Sequence, residues 1–541
     1  MKYGFVIDNR KCIGCHACTT ACKSEHAVPV GVNRTWVKQV EKGTFPNTRR
    51  LFSVMRCNHC TDAPCVDICP VEALFVRDDG IVDFDKRRCI GCKSCIQACP
   101  YDALYIDPDT QTAAKCNYCA HRIDLGLEPA CVNVCPEHAI ISGDMEDPDS
   151  EISQLLGRQQ VSVRKSEKGT QPNLFYIDGD ESSLNPVATE KSDSYFWSAQ
   201  TRGVGHYAKA AEKMAFSNGD VVGALMEIRE QSASSTELAS SGPARSIDLL
   251  LGRARRVYDS PDKGILWGWE VSAYVFTKAI ATGAFLVLFY ALTFMPDLLR
   301  GALPWWGLGI SLTFLGLTGI LLIKDLDRAR RFLYVLLRPQ WKSWLVKGGY
   351  AITFFGAAAT AWGLSRWYGW SAVEPWLRWT TAALSLLVAV YTAFLFAQAK
   401  GRDFWQSPLL PVHMFIHSLL AGGAVFSMLE WAMPSAPSWS QVLAALMVGG
   451  IALNLVVLLI ELATGHATVE AEHTAGMITG GRYRYSFWLG SVLLGNILPL
   501  LLLLLLPTGG SLLAGAGLAI LIGIYITEHI WVEAPQRIPL S

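Results

Sequence analysis

Past Cys135 the sequence has no cysteine, and past Trp267 it has little charge: 28 Lys, Arg, Asp and Glu fall in 267–541 against 66 in 1–266. Half a chain so depleted is not an ordinary soluble domain, and 541 residues exceed one domain. Net charge is missing too. With 47 basic against 47 acidic residues and no basic stripe in the polar half, no nucleic-acid partner is expected. The opening MKYGFVIDNRKC has no apolar stretch before Cys12, so the chain itself is expected to carry no export signal, which does not stop a partner subunit from carrying one. There is no G-x-G-x-x-G opening a helix after a strand, no P-loop and no hydrolase triad, which removes the common substrate-activating centres.

What the polar half does hold is cysteine, all 16 between Cys12 and Cys135. Cys12, Cys15, Cys18 and Cys22 are spaced C-x2-C-x2-C-x3-C. Cys57, Cys60, Cys65 and Cys69 run C-x2-C-x4-C-x3-C-P, and Cys89, Cys92, Cys95 and Cys99 run C-x2-C-x2-C-x3-C-P. Cys116, Cys119, Cys131 and Cys135 run C-x2-C-x11-C-x3-C-P. This is bacterial ferredoxin spacing, in which three thiolates wrap one cubane and the fourth reaches the neighbouring one. Disulfides would need an oxidising compartment and leave the repeat unexplained. Zinc would not call for the third and fourth positions. Sixteen thiolates make four complete sets, so four [4Fe–4S] clusters are expected, with no gap that would signal a three-iron cluster. The runs GIVDF and ALYID read as short hairpins turning at Asp79-Gly80 and Asp107-Pro108.

The order of the four groups, with HAIISGDMEDPDSEI after Cys135 and then VSVRKSEKGTQPNLFYID, resembles the four-cluster iron–sulfur subunits of the DMSO reductase and polysulfide reductase family. The resemblance covers about 1–180. It implies a nested pairing: Cys12, Cys15, Cys18 and Cys135 on one cluster, and Cys22, Cys116, Cys119 and Cys131 on its neighbour. Cys57, Cys60, Cys65 and Cys99 would hold a third, and Cys69, Cys89, Cys92 and Cys95 the fourth.

Residues 187–264 read as a linker, partly helical over 206–231 and flexible over 232–246. Beyond it, apolar runs of membrane length recur. Eight spans are expected, near 268–294, 305–323, 348–365, 379–398, 411–431, 441–462, 486–506 and 511–531. Tryptophans such as Trp305, Trp376 and Trp488 lie near their ends, as interfacial aromatics do. Loops 324–347, 399–410, 463–485 and the tail hold 12 Lys and Arg, whereas the opposite loops hold Arg300, Arg366 and Arg378. The positive-inside rule therefore favours the cytoplasmic face for the cluster-bearing end, docking of the basic loop being the competing explanation.

The stretch IKDLDRARRFLYVLLRPQWKSWLVKGGY, with YTAFLFAQAKGRDFWQSPLLP, WGWEVSAYVFTKAIATGAF and the terminal WVEAPQRIPLS, resembles the NrfD-type polysulfide reductase membrane anchor. That family is a quinone-reactive eight-helix anchor without haem. The expected architecture is thus an α+β bis-ferredoxin-like iron–sulfur domain (1–186), a linker (187–264) and an all-α membrane domain of eight transmembrane helices (265–541). Ionisable residues inside spans are costly and usually serve a cavity or proton path. Tyr274, Lys278 and Asp325 are candidates on that ground, and His413 joins them with His417 one turn on. Tyr391 is a candidate because the family's quinone site matches YTAFL. Glu430, Glu461, Glu528 and His529 lie near span ends and read as interfacial. Two histidines on one helix cannot embrace a haem, so none is expected.

The function expected is an electron-transfer and membrane-anchor subunit in the inner membrane. It would link a molybdopterin (bis-MGD) catalytic subunit, implied by the resemblance alone, to menaquinone or ubiquinone in the lipid bilayer. The alternatives are the same wire serving a [NiFe]-hydrogenase, a redox-driven ion-translocating module, and a plain scaffold without iron.

Overall fold

The computed structural model describes residues 1–44, 46–189, 254–297, 301–434, 437–505 and 510–541. The helical and flexible stretches expected over 206–246 lie outside the described residues, as does Arg300.

The first strand, Tyr3–Asp8, is apolar on both faces and sits inside a four-stranded sheet. It pairs antiparallel with Ile140–Asp144 and parallel with Leu174–Ile177, whose outer edge takes Val161–Ser162. Phe5 and Ile7 pack with Trp36, Tyr118 and Tyr176 on one face, and Val6 packs with Ile141, Ile152 and Ile177 on the other. A second sheet is the hairpin Thr35–Thr44 and Asn47–Arg56. Its edge takes Arg255–Tyr258, so the end of the expected linker is a strand of the cluster-bearing unit. Two small hairpins, Leu74–Val76 with Val82–Phe84 and Leu104–Asp107 with Thr112–Lys115, carry the turns foreseen at 79–80 and 107–108.

The C-terminal half is a helical bundle of Trp269–Phe294, Leu303–Lys324, Trp344–Trp367, Glu374–Gln398, Leu410–Ala432, Pro437–Ala463, Ser486–Leu505 and Gly510–Glu533. Among the described residues, seven helices are long and apolar enough to cross a membrane. Trp344–Trp367 is not among them, because Gly, Thr, Trp and Tyr replace the Leu and Ile of its neighbours and Lys347 and Arg366 lie near its ends. Trp269–Phe294 is the bundle's axis, buried on nearly all sides against Leu303–Lys324, Glu374–Gln398, Leu410–Ala432 and Gly510–Glu533. Outer helices present Leu453, Leu459, Leu501 and Leu504 outward, a surface that only lipid or another apolar partner tolerates.

The axis helix touches Leu410–Ala432 backbone to backbone. A Cβ at Gly283 would stand 1.7 Å from Ser418 O, and one at Gly422 would stand 2.2 Å from Gly283 O. Small residues allow such approach between helices in a membrane. Gly283→Leu is therefore expected to cost at least ~3 kcal/mol, the upper range for overpacking. Gly449→Ala, whose Cβ meets nothing within 4 Å, is the neutral control. Thermal unfolding of the detergent-solubilised chain measures the difference, and equal melting points would refute it.

The two halves dock through the loops around Cys69, Cys89 and Cys92. Ser343 Oγ donates to Ile68 O at 2.8 Å, and Gln340 N donates to Pro70 O at 3.1 Å. Arg331 donates to Lys86 O and Cys89 O at 3.0 and 2.8 Å, and Trp267 Nε1 donates to Cys92 O at 3.1 Å. Lys93 pairs with Asp327 at 3.1 Å and Asp325 at 3.6 Å. Behind these, buried Arg402 donates to Gln97 Oε1 at 2.9 Å, and Gln97 donates to Gln536 Oε1 at 2.6 Å. Arg331 and Arg402, two of the twelve basic residues on this side, are thus occupied in docking.

Candidate functional site

The sixteen cysteines are free thiols gathered into four groups. Cys12, Cys15, Cys18 and Cys135 line one cavity with Gly14 and His16. Cys57, Cys60, Cys65 and Cys99 line a second with Asn58 and Tyr101. Cys69, Cys89, Cys92 and Cys95 line a third with Pro70 and Lys93. Cys22 and Cys119 both face Cys116 and Cys131. These are the crossed sets that the resemblance implies.

The loops are built alike. Cys12-Ile-Gly-Cys15 and Cys89-Ile-Gly-Cys92 both place their glycine at φ near +70°, Gly14 at 71° and Gly91 at 72°. The residues after the second cysteine, His16 and Lys93, are also left-handed and start short helices at Ala17 and Ser94. Glycine makes the first bend without a Cβ clash. Main-chain N–H groups then point at sulfur: Ala73 N donates to Cys69 Sγ at 3.2 Å and Ala139 N donates to Cys135 Sγ at 3.3 Å. Among the described residues no three His, Cys, Asp or Glu converge as they would on one metal ion. Thiols ringing a cavity suit a cubane, in which each sulfur meets a different iron. Burial pushes the Cys18 thiol up to about 11 and those of Cys92 and Cys119 up to about 12. Without a cation they would stay protonated; a bound metal holds them as thiolates.

The four groups stand in a row. Cys18 is within electrostatic reach of Cys131, Cys57 of Cys116, and Cys95 of Cys65. Cys15 and its neighbour Ile13 are exposed at one end of the row. At the other end, Cys69, Cys89 and Cys95, with Cys57, Cys60, Cys65 and Cys99 behind them, share one hydrophobic core with Trp267, Val271, Tyr274, Phe396 and Trp405 of the bundle, and Trp267 and Arg331 bond directly to the main chain of Cys92 and Cys89.

Directly beneath that core three of the candidates meet. Lys278 Nζ donates to Thr392 Oγ1 at 2.8 Å and Ala389 O at 3.0 Å, and lies 5.2 Å from the Tyr391 ring centroid. Tyr274 approaches the same Thr392. All are buried. Gly348 lets the Tyr391 ring close in, since a Cβ there would lie 2.1 Å from it.

Asp325 lies just past helix Leu303–Lys324, between Lys93 and this group. Burial, opposed by Lys93 and reinforced by Asp327 and Glu270, pushes its carboxyl up to about 7. Between the ordinary carboxylate range and about 7, the unfolded chain sheds a proton that the folded chain keeps. Stability contributed by this group therefore falls as pH rises through that window and levels off above it. Asp325→Asn should flatten that fall. Melting temperatures of the solubilised chain from pH 5 to 8 test it, and an unaltered slope would count against it.

His413 belongs to a separate arrangement. His413 Nδ1 lies 2.8 Å from Glu461 Oε2, and the His413 and His417 Nε2 atoms lie 3.1 Å apart. His417 Nδ1 lies 2.6 Å from Glu528 Oε1, and Glu528 is within electrostatic reach of Lys278. Four buried titratable side chains from three helices thus form an unbroken chain, reaching at its outer end Ser407, whose Oγ donates to Glu461 at 3.4 Å.

The family model for Polysulphide reductase, NrfD matches residues 260–536, and two 4Fe-4S dicluster domain models match 11–74 and 48–145. This protein belongs to the NrfD polysulphide reductase family. Its N-terminal part is similar to separate iron–sulfur proteins. It is 45% identical over 190 residues to a subunit of the tetrathionate reductase of Salmonella typhimurium, covering 34% of this chain and 76% of that one. It is 44% identical over 181 residues to a component of the polysulfide reductase of Wolinella succinogenes (32% and 94%). It is 33% identical over 225 residues to the arsenate respiratory reductase iron-sulfur subunit of a Shewanella species (33% and 96%). The chain is a fusion of a [4Fe–4S] ferredoxin unit with an NrfD membrane unit.

Within the NrfD unit, the interfacial reading of three glutamates needs correction. Glu461 and Glu528 are not interfacial: both are buried and each holds a histidine. They lie near helix ends in sequence, yet neighbours within the bundle enclose them: Ser407 and His413 at Glu461, His417 at Glu528, and Trp531 against the His413 ring. Glu430 is likewise buried and accepts from Ser440 Oγ at 3.3 Å. Thr392, the partner shared by Lys278 and Tyr274, escaped notice because a lone threonine in a span signals nothing. A depth count would have found the glutamates: Glu528 lies five residues before the end of its helix and His417 seven after the start of its own, on the same side.

Proposed function

We propose that this chain is the electron-transfer and anchor subunit of a respiratory reductase complex, carrying electrons through four [4Fe–4S] clusters between a molybdopterin catalytic subunit and membrane quinone. The observation that carries this reading is the single core joining the Cys69, Cys89, Cys92 and Cys95 loops to Tyr274, directly above Lys278 and Tyr391. A row of thiol sets ending there has the layout of a wire with a membrane terminus. Its exposed end, at Cys15 and Ile13, is the face for the catalytic partner. The relatives' names, reductases of tetrathionate, polysulfide and arsenate, support such a partner.

The clusters, when bound by the four cysteine sets, supply one-electron transfer. The chain's own residues do the rest. Tyr274 and Lys278 offer donors to a quinone oxygen, and the Tyr391 ring lies beside Lys278, packed against Gly348. Two protons must travel with each quinone reduced or quinol oxidised. The Glu461, His413, His417 and Glu528 chain supplies a route between Lys278 and the cluster side. All eight helices then span the inner membrane, Trp344–Trp367 included, with the clusters on the cytoplasmic face in keeping with the basic loops.

The test uses the purified chain in detergent or lipid. Iron and labile sulfide should reach about sixteen each per chain, four for each cubane. Dithionite-reduced clusters should reoxidise on adding a short-chain menaquinone or ubiquinone analogue. Far fewer irons, or clusters that stay reduced, would overturn the reading.

A further inference from the structure

We infer that Arg56 is the counter-charge of the site formed by Cys22, Cys116, Cys119 and Cys131 and holds that site's reduction potential up. Arg56 ends the strand Asn47–Arg56 and is fully buried. Its Nη1 donates to Cys131 Sγ at 3.1 Å, and its guanidinium lies 4.5 Å from the Phe5 ring centroid. Its electrostatic neighbours are Cys131, Cys116 and Cys18. Among the described residues no carboxylate pairs with it, and its Nε and Nη2 have no acceptor.

A buried charge left in that state costs several kcal/mol, so an unpaired guanidinium in a core needs a negative group beside it. The four thiolates of a cubane supply one. A four-thiolate [4Fe–4S] site is anionic, and taking up an electron adds one negative charge. A fixed cation and an N–H to ligand sulfur therefore favour the reduced state more than the oxidised one, and the potential rises.

Nearby groups do not duplicate this. Lys115 is buried too, but its ammonium donates to the carbonyls of Val82 and Cys116. Arg34 donates to Tyr105 and Asn117 and reaches Cys22 of this site only through its charge, without a bond to sulfur. His26 stands 3.2 Å from Cys119 Sγ and offers a hydrogen bond on the far side of the site. Lys115 also reaches a thiol, but that of Cys57 in the next set, whereas Arg56 is bonded to Cys131 of this one. Because this site is second in the row from the exposed end, its potential governs where an arriving electron dwells.

The inference rests on the four-cluster reading. Failure of that reading would show in the unaltered chain as a shortfall of iron, before any variant is made. The experiment is a potentiometric titration followed by EPR on the purified, cluster-loaded full chain, comparing Arg56→Met, Arg56→Gln and Arg56→Lys. In the neutral variants the reduction equilibrium of one cluster should fall at least tenfold, which is 59 mV for a one-electron couple. The Cys69, Cys89, Cys92 and Cys95 site should be unmoved, and Arg56→Lys should shift less than half as far. Loss of one cluster's iron in both neutral variants but not in Arg56→Lys also upholds the assignment. Four unchanged potentials in a fully loaded neutral variant would overturn it. So would a shift, or an iron loss, as large in Arg56→Lys as in Arg56→Met.

Discussion

Lys278→Met is expected to slow quinone-driven reoxidation of the reduced clusters by ~10²-fold or more, the usual scale for loss of a positioned proton donor. The EPR spectra of the clusters should not change. The ammonium is buried at the axis of the bundle, and its hydrogen-bond partners are one hydroxyl, one carbonyl and the Met414 sulfur. Burial of an ion is costly, so a purely structural lysine there would be a poor arrangement. Methionine keeps the length and removes the charge. Since the desolvated ammonium disappears, the melting point should hold or rise. Stopped-flow reoxidation by a quinone analogue measures the rate. A variant that melts as before and turns over at the normal rate removes Lys278 from the site.

The second large effect separates the two ends of the row. Cys95→Ala should lower iron to about twelve per chain, the loss of one four-iron cubane. It should also abolish quinone-driven reoxidation of the remaining clusters, because that thiol lies in the set that touches the bundle. Cys15→Ala should cost as much iron at the exposed end and leave quinone-driven reoxidation of the other clusters standing. If both variants lose quinone reactivity equally, the row does not run in the order given.

Much of this was legible before folding. Cysteine spacing is local, so the four thiol groups could be read directly. Span positions were close as well: 268–294 against Trp269–Phe294, and 441–462 against Pro437–Ala463. Apolar length is a one-dimensional signal. What stayed hidden depends on which helices face one another. Glu461 and Glu528 looked wet because their distance along the helix was visible and the histidines that face them from another helix were not. The strand Arg255–Tyr258 was lost in a polar linker, since four residues, RRVY, carry too short an alternation to stand out. Docking is done partly by neutral Gln97, Ser343 and Gln536, which have no signature until their partners face them.

The backbone contact of Gly283 with Gly422 locks the helix bearing Lys278 to the helix bearing His413 and His417. At that spacing neither rod can slip past the other without driving a bulkier residue into a main chain. The pair behaves as a single rigid strut. Any mechanical stroke coupled to turnover must therefore come from rotating side chains or from the looser perimeter rods.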